Sequence, residues 1–344
     1  MEPPHSALNE QQSCATPSAT RCPLAVVVLN YKTPALVLDC LETLVPEMVA
    51  GEHVIVVDNA SGDDSVPSIR ARIEARGWQE QVRLVEAGGN HGFSAGNNVG
   101  IRAVDAEAYL LLNSDTLVRP GAIEGLRRAM AEHPEVGLFG PRLEWPDETP
   151  QVSAFRDPSP LSEFDRAAGT GPVSKVLRRW SVSPPRQEKP VPFAWASFAA
   201  ILVRRSVFEK IGLMDEGYFL YFEDIDFCRR ARLAGFQGLY WPEARIVHLR
   251  GGSGPVKESQ AQKSPLPPYY YASRSRFFAK SYGRVGLFCA NLLWMGGRCI
   301  SIVRETLTRK KPHLCAKEGR GIWHRFLRPV DPAESWRGNF PPTA

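Results

Sequence analysis

The sequence lacks the cysteine pattern of a disulfide-stabilised scaffold or of a structural zinc site. Its 344 residues include seven cysteines, an odd number, and no two of them form a Cys-x-x-Cys pair. Scattered thiols of this kind are typical of proteins that remain in a reducing compartment. We therefore expect a cytoplasmic protein whose fold depends on a hydrophobic core, and the chain is long enough to build one or two domains around such a core.

An apolar secretory leader is also absent. Residues 1–22 are polar and contain no continuous hydrophobic run. A segment of this composition cannot bury enough apolar surface to offset the entropy of ordering it. The sequence therefore predicts a disordered leader over residues 1–22.

The glycine-rich loops that bind phosphate in the commonest nucleotide folds are missing. The first apolar run, Leu24–Tyr31, continues as Lys-Thr-Pro without a glycine, although a dinucleotide-binding fingerprint would begin there. A Walker loop is absent as well. NAD-dependent and P-loop chemistry are disfavoured, and so is a nucleotidyl transferase, which would need a glycine-rich basic loop at this position. A nucleotide ligand of another kind remains open.

Apolar, β-branched runs alternate with amphipathic segments through the first half of the chain. Four such runs, each followed by a helical pattern, are LAVVVLNY, HVIVVDNAS, VRLVEAG and AYLLLNSDT. Repeated strand–helix units predict an α/β fold with a Rossmann-like, doubly wound and mostly parallel sheet. We expect one domain over residues 23–255, interrupted by an irregular loop at 146–192, then a linker at 256–268 and a basic, apolar helical tail at 269–344.

The predicted tail differs from the body in charge. From Leu266 to Ala344 there are 14 Lys or Arg against 4 Asp or Glu, whereas the rest of the chain has 28 against 33. The tail contains a 19-residue apolar run, Val285–Val303, interrupted by Gly296, Gly297 and Arg298. This pattern favours a helix lying on an anionic membrane surface. A core-packed helix and a true membrane span remain alternatives. No nucleic-acid-binding module is recognisable, so we expect no nucleic-acid partner.

Polar side chains follow each strand of the predicted sheet. Ligands of open parallel sheets bind beyond the carboxyl ends of the strands, so these side chains are expected to line one crevice. Taken singly, each is typical of a turn or a helix cap. Asp58 can accept a hydrogen bond from the N3–H of a uracil or thymine ring. The candidate residues for binding a nucleotide or a sugar are Asn30, Asp58, Asn59, Asn90, Gly92, Asn97, Asn98, Asn113, Ser114 and Asp115.

Asp115 and His248 are the candidate metal ligands. A divalent ion, Mg²⁺ or Mn²⁺, would neutralise the charge that develops on a nucleoside diphosphate leaving group. One carboxylate is a small ligand set, and His248, at the end of a later strand, is a candidate second ligand for an ion that tolerates imidazole. A purely structural histidine is the alternative.

These segments together resemble the family 2 glycosyltransferases with a GT-A fold, in particular the bacterial rhamnosyltransferase-like branch that builds cell-surface glycans. Six motifs carry the resemblance between Leu24 and Ser253: VVVLNY, VIVVDNASGDDS, NHGFSAGNNVGI, LLNSDT, GYFLYFEDIDFCRRARLAGF and VHLRGGS. The resemblance implies a nucleoside-diphosphate sugar donor, a divalent metal ion and a single inverting displacement.

Carried over residue by residue, the resemblance implies a role for each matching position. Asn113-Ser114-Asp115 matches the family's metal motif, with Asn113 in place of its first acid. Asp58 matches the residue that recognises the base, His248 the metal-binding histidine and Asp224 the catalytic base. A second departure is Phe198, which stands where the family usually has glycine and which we expect to reshape the acceptor pocket or the local backbone.

The stretch Tyr221–Arg230 places Glu223, Asp224 and Asp226 beside an aromatic run. An acceptor hydroxyl must lose its proton as the glycosidic bond forms, and a carboxylate can take that proton. Asp224 begins a predicted helix, whose dipole favours a negative charge there. Glu223 is expected to bind the acceptor or to orient Asp224. Asp226, about 200° further round the helix, is expected to pair with an arginine of the next turn. Simple helix capping is the alternative.

The predicted function follows from these assignments. We expect transfer of a rhamnose-like deoxyhexose from a dTDP- or UDP-sugar to a hydroxyl of a lipid-linked or polysaccharide acceptor. Trp195, Tyr221 and Glu223 are the predicted acceptor contacts. The expected location is the cytoplasmic face of the inner membrane, as a peripheral protein, or the cytoplasm. The alternative is an inactive sugar-nucleotide or glycan-binding protein of the same fold.

Overall fold

The computed structural model describes residues 21–250, 255–309 and 311–330. The strands are β1 Ala25–Asn30, β2 His53–Asp58, β3 Val82–Glu86, β4 Ala108–Asn113, β5 Thr116–Val118, β6 Val136–Glu144, β7 Ala154–Phe155, β8 Val191–Pro192, β9 Trp195–Ala196, β10 Ala200–Arg204 and β11 Gln237–His248. The helices are α1 Pro34–Leu44, α2 Ser65–Arg76, α3 Phe93–Arg102, α4 Ala122–Glu132, α5 Pro160–Ala168, α6 Gly171–Val176, α7 Arg205–Ile211, α8 Glu223–Leu233, α9 Pro255–Gln262, α10 Pro268–Thr308 and α11 Glu318–Gly321. The predicted leader, apart from its last two residues, and the end of the tail after residue 330 lie outside the described residues.

A nine-stranded mixed sheet forms the centre of the molecule. Its strand order is β3-β2-β1-β4-β10-β6-β11-β5, with β8 also paired to β11. Strands β1 to β4 are parallel, as the strand–helix repeats predict, and β10 runs antiparallel between β4 and β6. The predicted α/β sheet is therefore confirmed. The reversal at β10 was not foreseen because a short apolar run fits a buried strand in either direction.

Successive residues of the central strands point to opposite faces of the sheet, and both faces are buried. Val26 and Val28 of β1 contribute to a core layer with helices α1, α2 and α4, whereas Ala25 and Val27 contribute to a second layer with α3, α7 and α8. Helix α3 approaches β1 so closely that a Cβ at Gly100 would lie 2.4 Å from a Val27 methyl group. Glycine at this position allows the close packing that brings the start of α3 to the strand ends.

Two segments expected to be irregular contain helices. Residues 146–192 include α5 and α6, and α5 begins at a capping box formed by Ser159 and Ser162. The segment 256–268, expected to be a linker, largely overlaps α9. These helices are six to nine residues long, which is too short for a periodic pattern to stand out from the prolines and charges around it. The domain boundaries themselves stay a prediction.

Helix α10 is packed against the body of the molecule. It bends at Gly283, which has a left-handed φ of 69°. Before the bend, buried Arg274 donates to Glu163 of α5 at 2.8 and 3.0 Å and to Asn291 at 2.7 Å. Burial alone would raise the pKa of Glu163, but the charges of Arg166 and Arg274 hold it at about 2. Breaking this buried pair would leave an uncompensated charge. The pair therefore fixes the position of α10 relative to α5.

The neighbouring glycines Gly296 and Gly297 provide a matched test of the contact between α10 and α5. A Cβ at Gly297 would lie 2.3 Å from the Phe164 carbonyl oxygen, whereas one at Gly296 would lie 3.5 Å from its nearest neighbour, the Phe164 ring. We expect Gly297→Ala to lower the free energy of unfolding by about 1–3 kcal/mol. Gly296→Ala should be neutral or stabilising by up to about 1 kcal/mol, because alanine favours the helix. Urea unfolding measures both, and equal effects would contradict the packing described.

Candidate active site

Asp115 and His248 lie together at one edge of the sheet. Strand β4 ends at Asn113, the chain turns through Ser114 and Asp115, and β5 then pairs antiparallel with the end of β11, with Thr116 opposite His248. The imidazole Nε2 lies 3.5 Å from a carboxylate oxygen of Asp115, and both residues are buried. Residues 133 positions apart in the chain are thus brought to one point.

This pair fits a divalent ion. Carboxylate and imidazole ligands lie about 2.0–2.2 Å from such ions. Two ligands of one ion can therefore be separated by at most about 4.4 Å, and the observed 3.5 Å lies within that limit. The Nδ1 atom of His248 is buried without a hydrogen-bond partner among the described residues. Within the described part of the chain no third acidic, histidine or cysteine side chain completes a cluster.

Asp58 is held by the parallel register of β1 and β2, which sets it beside Asn30. Its Oδ1 accepts hydrogen bonds from the Asn30 amide at 2.7 Å and from the Ser61 hydroxyl at 2.6 Å, and its Oδ2 accepts from the Ser61 backbone N–H at 3.0 Å. A carboxylate has about four lone-pair positions. The Oδ2 atom therefore keeps capacity for one more donor, such as a ring N–H.

Asn59, Asn90 and Gly92 form a second connected group. The Asn59 amide donates to the Asn90 side chain at 2.9 Å and to the Gly92 carbonyl at 3.2 Å, while its own Oδ1 is buried without a partner among the described residues. Gly92 has a φ of 95°, and a Cβ there would lie 2.3 Å from the Phe219 carbonyl oxygen. The close approach that requires this glycine is to the segment preceding α8.

Asn97 and Asn98 are buried in α3. Asn97 donates to the Phe93 carbonyl at 3.0 Å. Asn98 donates to the Met214 carbonyl and to Glu216, both at 2.9 Å, and accepts from the Met214 N–H at 3.1 Å. These contacts give both asparagines a structural role, and their assignment to a donor site stays a prediction.

The turn into α8 has an unusual backbone. Tyr221 and Phe222 are consecutive non-glycine residues with φ of 70°. Such left-handed conformations persist only where the surroundings impose them. The Tyr221 ring contacts Tyr270 of α10 at 5.7 Å between centroids, and the Phe222 ring contacts Tyr270 and Phe277 at the same distance. The tail helix therefore holds the turn that presents the next two residues, Glu223 and Asp224.

The Phe198–Ala199 segment lies near both the end of β4 and Asp224. The Asn113 N–H at the end of β4 donates to the Ala199 carbonyl at 2.9 Å, and the Phe198 backbone acts to lower the pKa of Asp224. The Phe198 ring is 2% exposed and packs in the core against Phe227. The ring therefore lies in the core layer, and its effect on the acceptor pocket or the local backbone stays a prediction.

Burial raises the pKa of both carboxyl groups at the start of α8. The pKa of Asp224 rises from 3.8 to about 7 for this reason, although hydrogen bonds from Ile225 and Phe198 oppose the shift. Glu223, 6% exposed with Oε2 unpaired among the described residues, has its pKa raised further by burial and by the charge of Asp224. The pKa shifts of both groups thus favour their protonated forms, and the charge of Asp224 adds to the shift of Glu223.

Asp226 has the structural role that the sequence indicates. It accepts a hydrogen bond from Arg230, one turn further along α8, at 2.9 Å. It also contacts Lys280 of α10 at 2.7 Å and the buried Tyr218 hydroxyl at 3.2 Å. The predicted pairing with an arginine of the next turn is correct.

The predicted acceptor aromatics lie close to α8, since Tyr221 precedes this helix and β9, which contains Trp195, contacts it. Trp195 stacks on Phe155 at 4.2 Å between ring centroids, and its indole N–H donates to the Arg156 carbonyl at 2.8 Å. Tyr221 packs on the tail helix, and burial raises its pKa to about 12. Both rings are partly exposed. Their role in acceptor binding stays a prediction.

Comparison with known proteins decides the family. The family model described as "Glycosyltransferase like family 2" matches residues 21–264, most of the chain. The chain belongs to this family. The glycosyltransferase activity expected from the motifs is thereby confirmed.

Two curated relatives of this glycosyltransferase are sugar transferases by name. The low-salt glycan biosynthesis hexosyltransferase Agl10 of Haloferax volcanii is 25% identical over 296 residues, 82% of this chain and 85% of Agl10. An N-acetylglucosaminyl-diphospho-decaprenol L-rhamnosyltransferase of Mycobacterium tuberculosis is 31% identical over 217 residues, 58% of this chain and 67% of that enzyme. The predicted rhamnosyltransferase-like resemblance is confirmed.

A solved structure supports the fold of the glycosyltransferase. The mannosyltransferase PcManGT from Pyrobaculum calidifontis, in complex with GDP-Man and Mn²⁺, has a TM-score of 0.51, with 90% of this chain and 86% of that chain covered. The two sequences are 15% identical. At this identity the similarity shows a common fold and no more. The predicted GT-A fold is confirmed.

Several residues near the site of the transferase were missed in the sequence. Thr33 connects two strand ends, because its hydroxyl donates to Asn30 and lies 3.1 Å from the Ser114 hydroxyl. Lys257 lies in the segment expected to be a linker, where burial lowers its pKa and the charge of Asp115 opposes that shift. Contacts of this kind join distant segments, so no local pattern reveals them.

The raised pKa of Asp224 predicts a stability cost for the transferase. Because the folded-state pKa of about 7 exceeds the ordinary 3.8, ionisation of Asp224 destabilises the fold above that pKa. We expect Asp224→Asn to raise the free energy of unfolding by about 1 kcal/mol or more near pH 8. The gain should disappear near pH 4, where the aspartate is protonated in the folded state. Urea titrations at both pH values measure it, and a less stable variant near pH 8 would contradict it.

Proposed function

We propose that this enzyme is an inverting, metal-dependent transferase that passes a sugar from a dTDP- or UDP-sugar to an acceptor hydroxyl. A rhamnose-like deoxyhexose is the favoured sugar, because one relative is named a rhamnosyltransferase. The observation that carries the proposal is the position of Asp115 and His248, 3.5 Å apart just beyond the end of β4. Two candidate metal ligands of this kind fit the binding of a nucleoside-diphosphate sugar for transfer.

The donor would occupy the crevice beyond the carboxyl ends of β1, β2 and β4. Asp58 would accept the ring N–H of the base, and Asp115 with His248 would hold Mg²⁺ or Mn²⁺. The ion supplies charge neutralisation for the diphosphate leaving group. The Mn²⁺ in the PcManGT complex supports this assignment. Lys257, whose charge interacts with that of Asp115, adds a cation for the same diphosphate.

The acceptor hydroxyl would meet Asp224. Its carboxylate takes the hydroxyl proton as the acceptor oxygen bonds to the anomeric carbon and the nucleoside diphosphate departs with the electrons of its bond. One displacement inverts the configuration at that carbon. A pKa of about 7 suits a base working near neutral pH. Glu223, whose raised pKa favours the protonated form, would donate a hydrogen bond to the acceptor.

The acceptor class and the location follow from the relatives and the tail. One relative acts on a diphospho-decaprenol-linked sugar by name, which supports a lipid-linked or polysaccharide acceptor and a peripheral position at the cytoplasmic membrane surface. Metal-dependent hydrolysis of the donor in the absence of acceptor would test the proposed metal dependence with an asparagine at position 113.

The two carboxyl groups of α8 should respond differently to amide substitution. Asp224→Asn removes the proton acceptor, and we expect kcat to fall by about 10²-fold or more with donor affinity retained. Glu223→Gln keeps a hydrogen-bond donor in the same shape, and we expect a loss below about tenfold. Steady-state transfer assays and donor titrations measure both. Near wild-type turnover by Asp224→Asn would remove it from the role of base.

Metal dependence can be tested through donor binding alone. Thermal shift against a panel of dTDP- and UDP-sugars should show stabilisation that increases with Mn²⁺ or Mg²⁺, because ligands that bind the folded state raise its stability. His248→Ala should remove the increment due to the ion while keeping part of the shift due to the nucleotide. An ion increment that survives both His248→Ala and Asp115→Asn would show that these residues do not hold the ion.

A further inference from the structure

The second half of α10, after the bend at Gly283, is buried along one face only. The buried side chains recur with helical spacing and face α5 and α11. They are Leu287, Ala290, Asn291, Trp294, Ser301 and Glu305. Glu305 is 7% exposed and forms an ion pair with Arg298 at 2.8 Å. This face belongs to the protein interior and carries a buried charge.

The opposite face of the same half-helix is apolar and exposed. Its large side chains also recur with helical spacing, from 43% to 80% exposed. They are Val285, Phe288, Leu292, Met295, Ile302, Val303 and Leu307. We call this set the outer face of α10. A set of seven large, exposed apolar side chains on one helix face marks a site where the protein associates with another surface.

Length and composition alone would let α10 cross a bilayer. It has 41 residues, and its most apolar window has a mean hydropathy of 1.4 with 33% of that window buried. A spanning helix would surround its buried face with lipid, yet that face packs on α5 and includes the Arg298–Glu305 ion pair. One-sided contact with a surface fits these facts better than a span.

The exposed charges beside the outer face have one sign. From Arg284 to Val330 the described residues include two carboxylates, Glu305 and Glu318, and both are buried in ion pairs. The exposed charged residues of this segment are all basic: Arg284, Arg309, Lys311, Lys317, Arg320, Arg325 and Arg328. We call them the basic rim.

Part of the basic rim lines a cleft of about 690 Å³ between the end of α9, α10 and α11. Lys263, Lys311, Lys317 and Arg320 line it, and none of the four has a carboxylate partner within the described residues. Trp294 forms part of its wall, and its indole N–H has no partner among the described residues. The cleft borders the outer face, because Arg298 on its wall lies one helical turn from both Met295 and Ile302.

We propose that the outer face and the basic rim dock this enzyme onto an anionic phospholipid bilayer. The outer face would enter the interface between headgroups and acyl chains, and the cleft would receive lipid phosphate groups. A second copy is a poor occupant, because a two-fold dimer through this face would set the basic rim against itself. The proposal deepens the proposed function, on which it rests for a lipid-linked acceptor, by naming the surface that meets the membrane.

Cosedimentation of the full chain with vesicles tests the docking surface. Wild type should bind vesicles of phosphatidylcholine with about 30% phosphatidylglycerol about tenfold or more tightly than vesicles of phosphatidylcholine alone. Leu292→Gln/Leu307→Gln should weaken binding about tenfold or more to both vesicle types, because it removes apolar burial. Lys317→Gln/Arg320→Gln should weaken binding about tenfold, and only to the anionic vesicles.

A matched control lies on α6. Lys175 and Val176 are exposed, the valine by 78%, and Lys175→Gln/Val176→Gln should leave vesicle binding unchanged. Circular dichroism melts check that each variant folds. Vesicle binding by Leu292→Gln/Leu307→Gln that equals wild-type binding would overturn the proposal. So would a wild-type dimer in analytical ultracentrifugation that Leu292→Gln/Leu307→Gln converts to monomer.

Docking and sugar transfer fail separately. Vesicle binding requires no turnover, so a protein that binds vesicles but neither hydrolyses nor transfers any nucleotide sugar would sink the proposed function and keep the docking surface. Leu292→Gln/Leu307→Gln should retain wild-type hydrolysis of the donor in solution, since neither residue lies at the strand ends. Transfer that persists without vesicle binding, on an acceptor embedded in the same vesicles, would count against the docking surface.

Discussion

The short pairing of β5 with β11 is the contact on which the site depends. Three residue pairs hold it, and the pair Thr116–His248 sets Asp115 beside the imidazole. Two further hydrogen bonds hold this pairing in place. The Leu249 N–H donates to the Asp115 carbonyl at 2.9 Å, and the Gln151 side-chain amide donates to the His248 carbonyl at 2.8 Å. Since β5 is an edge strand of three residues, these extra bonds supply the rigidity that its length does not.

The turn at Tyr221 and Phe222, which leads into α8, depends on contacts from the tail helix α10. Two consecutive left-handed residues, Tyr221 and Phe222, would not persist without the aromatic side chains of α10 packed on them. Lys280 of the same helix contacts Asp226 one turn into α8. The tail therefore supports the segment that carries Glu223 and Asp224, the candidate catalytic residues. The outer face lies on the second half of this same helix. A membrane bound there would therefore contact the helix that holds the turn before Glu223 and Asp224.

Local pattern was sufficient for the strands and for the ends of the strands. The runs that became β1, β2 and β4 are buried on both faces, and the polar residues after them, Asn30, Asp58 and Asn113, stand where parallel strands end together. Pattern failed where a role depends on a distant partner. Asn98 binds a loop 116 residues away, and Gly92 is required by Phe219. Phe198 shows the same limit, since only the structure shows that its ring enters the core.

The small number of ligands at Asp115 and His248 has a thermodynamic consequence. Within the described residues no third group joins them, so the remaining coordination positions of an ion would be filled by water and by donor phosphates, as is usual for Mg²⁺. Ion and nucleotide would then each raise the affinity for the other, because such coupling is reciprocal. The neutral Asn113 in place of a second acid reduces the negative charge that a diphosphate meets before the ion is present. A site of this kind favours the joint binding of ion and donor over tight binding of either alone.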